Sequence, residues 1–240
     1  IAAHFKTSPA IKCAIKVLST QAVQTTYHQE SIRDIMKCLQ RNAIEIVAVE
    51  AFGNETRKQC LLKMFNGICK SSIEWKFVLT KKLPLLTYIN DDLLIDNLVF
   101  FIAHEDISLM DDLLMEMLAI WSTKTHISDT PFEQHFYVTK FIVLMVAYLP
   151  NLKERAADIR KKLFNGVQMH FSSSDDKLRA LGMITAETII GLLDGSEKEE
   201  DKLKFEYDSI DKKILAEIVD VIRDFPLRKC THVENVLYKE

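Results

Sequence analysis

Residues 177–193 read "KLRALGMITAETIIGLL", and the spacing of their apolar side chains decides the fold class. Leu178, Leu181, Ile184 and Thr185 fall at the i, i+3, i+4 interval that stacks side chains on one face of a helix. Gly182 lies inside that pattern, where a glycine costs about 1 kcal/mol relative to alanine. The chain holds only 6 glycines in 240 residues, so Gly182 is read as a point where an adjacent helix comes too close for a Cβ. Gly182 and Ala186 then share one face and form a smooth groove walled by Thr185 and Ile189, a site of tight packing between repeats. On this reading Gly182→Ala is nearly neutral, whereas Gly182→Leu overpacks the contact and costs about 1–3 kcal/mol.

The helical spacing continues in both directions. Ser8-Pro9 offers a cap and a first-turn proline, predicting a helix to about residue 25. Further helices are expected over about 29–52 and 55–68, and from "SSIEW" (71–75), with Ser71 or Ser72 as cap. Asn90 is expected to cap "DDLLIDNLVFFIAH", and Asp106 or Ser108 to open "LMDDLLMEMLAIW". Asp129-Thr130-Pro131 should open a helix to near Leu149, followed by "LKERAADIRKKLFNGVQMHF" (152–171). The serines 172–174 precede the helix that contains Gly182, and a last helix is expected over about 208–224.

No stretch alternates apolar and polar residues at the period of a strand, so the chain reads as all-α. Alternate helix starts near 30, 71, 108 and 151, and near 54, 90, 131 and 173, recur about every 40 residues. That period predicts an α-solenoid of HEAT-like antiparallel helix pairs. The expected organisation is a solenoid over 1–194, a charged loop or linker over 195–207, and an incomplete C-terminal helical segment over 208–240. The apolar run "FIVLMVAYL" (141–149) is far below the roughly 20 residues a membrane span needs, so it is read as an inner helix covered on both sides.

The formal net charge of −3 supplies no overall basic field for nucleic acid. The 5 cysteines are odd in number and lack C-x-x-C spacing, which points to reduced, buried thiols of a cytosolic or nuclear protein. Because the chain opens on Ile1, a piece of a longer protein is expected. No glycine-rich phosphate loop, nucleophile elbow, zinc motif or EF-hand loop occurs, so no catalytic, cofactor or metal residues are assigned. The 7 histidines never pair at i, i+4; His126 and His135 flank a turn and could meet in space, but are read as satisfied surface side chains. The acids in "NDDLLID" and "DISLMDD" suit helix N-termini.

One basic cluster stands apart: Lys153, Arg155, Arg160, Lys161 and Lys162, with Glu154 and Asp158 among them. It reads either as a solvated outer face or as a ridge for an acidic partner segment or a phosphate backbone. No aromatic side chain is read as interleaved with it, so stacking on single-stranded nucleic acid has little support.

"LRALGMITAE" (178–187) followed by "LKFEYD" (203–208) resembles the telomere length regulation protein family. Leu181, Gly182, Met183, Ile184, Ala186 and Glu187 carry the first part, and Leu203, Lys204, Phe205 and Tyr207 the second. Upstream, Trp121, Thr130, Glu133, Gln134, Tyr137 and Lys140 occupy the expected places, so the resemblance spans about 90–208. It implies an α-solenoid scaffold rather than an enzyme, acting in the cytoplasm and nucleus. In that family the scaffold joins two other subunits of the triple-T complex. Together with a heat-shock chaperone and its adaptor they mature phosphatidylinositol-3-kinase-related kinases, which serve TOR signalling, the DNA-damage checkpoint and telomere length. The family's C-terminal helical domain is not found in full. Its acidic, phosphorylated chaperone-recruiting linker is not evident either, since "GSEKEED" (195–201) precedes the Lys-Phe-x-Tyr element. The competing function is direct binding of telomeric DNA through the basic helix at 153–162.

Overall fold

The computed structural model describes residues 8–150, 152–195 and 202–224. Ser8 accepts the Ala10 amide and Pro9 occupies the first turn, opening α1 (Pro9–Ala22) as expected. The helix expected over 29–52 is instead two, α2 (Thr26–Lys37) and α3 (Arg41–Asn54). The Cys38 amide closes α2 on the carbonyls of Asp34 and Ile35, and Gln40 is extended at ψ 152°, so the chain turns with neither glycine nor proline to mark it. α4 (Lys58–Phe65) and α5 (Ile68–Ser71) are separated by Gly67, whose φ of 72° is the left-handed conformation that glycine adopts without strain.

Ser72 caps α6 (Ile73–Phe77), which runs into a π-helical stretch, Val78–Thr87, containing Pro84 and ending on left-handed Tyr88. Asp91, rather than Asn90, caps α7 (Asp92–Glu105) by accepting the Leu94 amide. Asp106 opens α8 (Ile107–Trp121), and the hydroxyl and amide of Ser108 hold its carboxyl below the usual range. A short helix absent from the expectations, α9 (Lys124–Asp129), is capped by Thr123. α10 (Phe132–Tyr148) and α11 (Leu152–Phe171) follow the sequence closely. Asp175 caps α12 (Asp176–Asp194), and α13 (Lys212–Val219) is capped by Asp211 before a π turn over Asp220–Asp224. Among the described residues there is no strand, and the fold is all-α in the α-solenoid manner.

The chain divides into two compact units, 1–110 and 111–240, with the division falling inside α8. In the first, α3 and α4 pack on α7 around Phe52, Phe65 and Phe101, whose rings lie 5.4–6.2 Å apart. Trp75 rests on Phe65 and donates its indole N–H to the Met36 carbonyl at 2.8 Å. Lys58 reaches buried Asp96 at 2.7 Å, and the Asn97 amide donates to the carbonyls of Phe52 and Glu55. The Glu105 carboxylate accepts the amides of Gly67 and Cys69. These links join residues 36 to 45 apart, which is one helix-pair period, so each pair is tied to the next at matching positions.

In the second unit α12 packs on α10, α11 and α13. Every residue from His135 to Val146 is buried, so α10 is the inner helix that its apolar run predicts. No helix among the described residues is long and apolar enough to cross a membrane. The cysteines depart in part from the expectation of buried thiols: Cys60 and Cys69 are buried, but Cys13 and Cys38 are exposed. Burial, with the Glu105 carboxylate nearby, pushes the Cys69 thiol up to about 12. Cys230 lies outside the described residues.

Candidate partner-binding helix and the buried histidine layer

α11 is amphipathic over 20 residues, burying Ala156, Ile159, Leu163, Gly166, Val167 and His170. Its basic residues are spread around the rest of the helix, with Arg155 and Arg160 flanking the buried side and Lys161 opposite it, so the five are not equivalent. Arg155 pairs with Asp111 and lies 3.8 Å from Asp158, and Arg160 pairs with Asp194. Both guanidinium groups are thus spent within the unit. Lys153 and Lys161 remain exposed and Lys162 is half-buried, with no ion pair to any of the three among the described residues.

Most of the residues that carry the family resemblance lie wholly or partly in the interior, while Glu133 and Lys204 are exposed. Leu181, Gly182 and Ala186 are buried on α12, and Met183 is half-buried. Glu187 joins the two halves of the motif: one carboxylate oxygen accepts the Phe205 amide at 2.7 Å, and the other pairs with Arg223. Phe205 also meets Phe171 edge-to-face. Burial first, then the adjacent Glu187 charge, raises the Tyr207 phenol above its ordinary range. The conjunction of a Leu-Gly-Met-Ile-x-Ala-Glu helix with a downstream Lys-Phe-x-Tyr therefore has a physical cause, since Glu187 fastens the returning segment to α12.

The close approach at Gly182 is present, with a partner other than the expected one. A Cβ there would sit 2.5 Å from His170 Cβ, on the helix that forms a hairpin with α12, rather than against another repeat. Because the atom opposed is itself a Cβ fixed to α11, alanine cannot fit without a shift of the helices. The expectation that Gly182→Ala is nearly neutral is therefore overturned. Gly166 does the same for Trp121, whose ring would lie 2.2 Å from an added Cβ.

Those two glycines admit a buried layer that the sequence reading missed. Trp121 stacks on His170 at 4.2 Å, His170 meets His135 at 6.0 Å, and His135 meets His126 at 4.2 Å. All three histidines are buried, so the surface reading of His126 and His135 is overturned and the alternative, that the two meet in space, holds. Thr139 accepts the Trp121 indole N–H at 2.9 Å and donates to the His135 carbonyl. Thr130 spends its proton on the His126 carbonyl, so His135 Nε2 donates to its oxygen. His170 Nδ1 donates to the Gly166 carbonyl. Left bare are His126 Nε2, His135 Nδ1 and His170 Nε2.

A proton added to any of these nitrogens finds no acceptor. Burial accordingly lowers His126 to about 4, helped by His135 and His170, and lowers His170 to about 4 against the opposing Gly166 hydrogen bond. His135 is lowered by burial and partly restored by the His126 backbone and Asp175. The layer is not arranged for a cation: among the described residues no group of three or more His, Cys, Asp or Glu can hold a metal ion. The signal available in the sequence was the His126–Thr130–His135 turn beside a tryptophan, together with Gly166 four residues before His170.

The class defined by this geometry is a helical-repeat protein whose marked residues pack, cap and fasten helices. No family model matches the chain. It is 27% identical over 197 residues to the mouse protein named Telomere length regulation protein TEL2 homolog, covering 80% of this chain and 23% of that relative. To the human protein of the same name it is 25% identical over 195 residues, covering 79% of this chain and 23% of the relative. The chain thus spans about a quarter of the length of these curated relatives. These similarities agree with the family resemblance read from the sequence.

Proposed function

We propose that this chain is part of a non-enzymatic scaffold that binds and matures phosphatidylinositol-3-kinase-related kinases. The observation carrying the proposal is the similarity, over four fifths of the chain, to relatives named as regulators of telomere length. The all-helical fold supports it, since stacked helix pairs present long surfaces suited to protein partners. On this reading residues 1–194 form the solenoid, 195–207 link it onward, and 208–240 begin a further helical segment, although 1–7, 196–201 and 225–240 lie outside the described residues. The partners are the two other triple-T subunits and the heat-shock chaperone with its adaptor, in the cytoplasm and nucleus. Depleting the parent protein should lower several of these kinases together while their transcripts stay constant. Unchanged kinase levels would overturn the proposal. Direct binding of telomeric DNA is the weaker reading, because Arg155 and Arg160 are already paired with carboxylates. Duplex binding that falls steeply between two salt concentrations would revive it.

A further inference from the structure

The outer side of α11 carries more than charge. Lys153, Ala157, Lys161, Phe164, Gln168 and Phe171 follow one another at steps of three or four, so they line one side of the helix, and all six are exposed. Phe164 keeps 53% of its surface in solvent and Phe171 keeps 40%. A single exposed apolar side chain is ordinary, but two phenylalanines on one line with two unpaired lysines form a patch. No aromatic is interleaved with the basic cluster, as expected; the two phenylalanines follow it along the helix. Phe171 is also held in place, because its ring stands edge-to-face on Phe205 at 5.3 Å while its other side stays open. A fixed aromatic loses little freedom on binding, the property of an anchor.

The order along the helix sets the chemistry of the occupant. Phe164 and Phe171 are about 10.5 Å apart along the axis, and Lys161 and Lys153 precede Phe164 by about 4.5 and 16.5 Å. A polyproline II segment rises about 3.1 Å per residue and turns once every three, so two side chains three residues apart lie on one side about 9.3 Å apart and match the two phenylalanines. Acids on the same segment then fall toward Lys161 and Lys153, which form no ion pair with a carboxylate of the described residues. A continuous phosphate backbone fits less well, since it brings no apolar side chains to the two exposed phenylalanines.

We propose that the Lys153–Lys161–Phe164–Phe171 stripe docks an acidic segment of a partner protein that carries two apolar side chains three residues apart. This rests on the scaffold reading above. The test is to pan a phage-displayed random peptide library over the folded chain and measure the enriched peptides by fluorescence anisotropy. Acidic sequences with a spaced apolar pair should be enriched. Phe164→Ser with Phe171→Ser, and separately Lys153→Glu with Lys161→Glu, should each weaken their binding about tenfold or more. The lysine effect should fade at high salt and the phenylalanine effect persist. Phe164→Ser alone, remote from Phe205, should weaken binding with an unchanged thermal melt, which separates docking from folding. Enrichment of sequences without acids, no enrichment, indifference to both pairs, or preferential binding of oligo(dT) would each overturn the stripe. If the stripe fails while depletion still lowers the kinases, the scaffold reading stands without it.

Discussion

In residues 1–110 the buried polar side chains bridge helix pairs, with Lys58 on Asp96, Asn97 on two carbonyls and Glu105 on two amides. In residues 111–240 the comparable depth is filled by Trp121 and three neutral histidines that keep ring nitrogens bare. The first interior depends on groups that are ionised or hydrogen-bonded as they stand. The second depends on protons staying away. Two units of one helical fold should therefore answer acid and substitution differently.

The largest contrast is expected with pH. The folded-state values of His126 and His170, about 4, lie below the ordinary histidine value near 6.5. The unfolded chain therefore binds protons first, and stability is intact above about pH 6.5 and lost as pH falls toward 4. The loss is on the order of 3 kcal/mol for each of the two. Amide exchange recorded across that range should show residues 111–194 losing protection before α3 and α7. Equal loss in both units would break the comparison. His170→Phe should flatten the pH dependence while keeping the ring against Trp121.

Next comes Trp121→Ala, which removes the ring resting on Gly166, stacked on His170 and bonded to Thr139. A urea titration should show a loss of about 3–5 kcal/mol. In the first unit Asn97→Ala strips the donor from the carbonyls of Phe52 and Glu55, with an expected cost of about 1–3 kcal/mol. Unlike the histidine effect, that cost should be the same at pH 7 and near pH 5. Gly182→Ala sharpens the comparison from the other side: its better helix propensity, worth about 1 kcal/mol, is set against the clash with His170 Cβ. The net should be destabilising by up to about 2 kcal/mol in a chemical melt, and a variant as stable as the parent would mean that α11 and α12 part without penalty.

Much of the helical order is legible because its punctuation is local: Ser8-Pro9, Ser72 before "IEW", and Pro131 before the α10 run each act within a turn of themselves. The break at 38–40 is not legible, because no residue there resists helix and the chain turns to pack α2 and α3 separately. The capping role of Asp91 was misplaced by one position because Asn90 is an equally good cap in isolation. For the candidate site, the periodicity placed the basic residues on one helix, but which of them are free depends on Asp111 and Asp194, distant in sequence. Phe164 reads as a core residue by type, and only the packing of α11 shows that it faces outward. The histidine layer was hidden for the opposite reason, as polar residues read as surface until two glycines bring Trp121 and His170 inside.

The carboxylate of Glu105 binds amides 38 and 36 residues upstream, at Gly67 and Cys69. A growing chain therefore finishes the start of α5 only after α7 has been made in full. At synthesis rates of about 5–20 residues per second, that is a delay of roughly 2–8 s. During that interval the 66–72 turn has an open end that its own sequence cannot close. Ribosome-held chains released short of Glu105 should be cut there by protease, and longer ones spared; cleavage independent of length would show that the turn closes alone. The solenoid is in this sense written with a lag, each pair of helices waiting for the next to complete it.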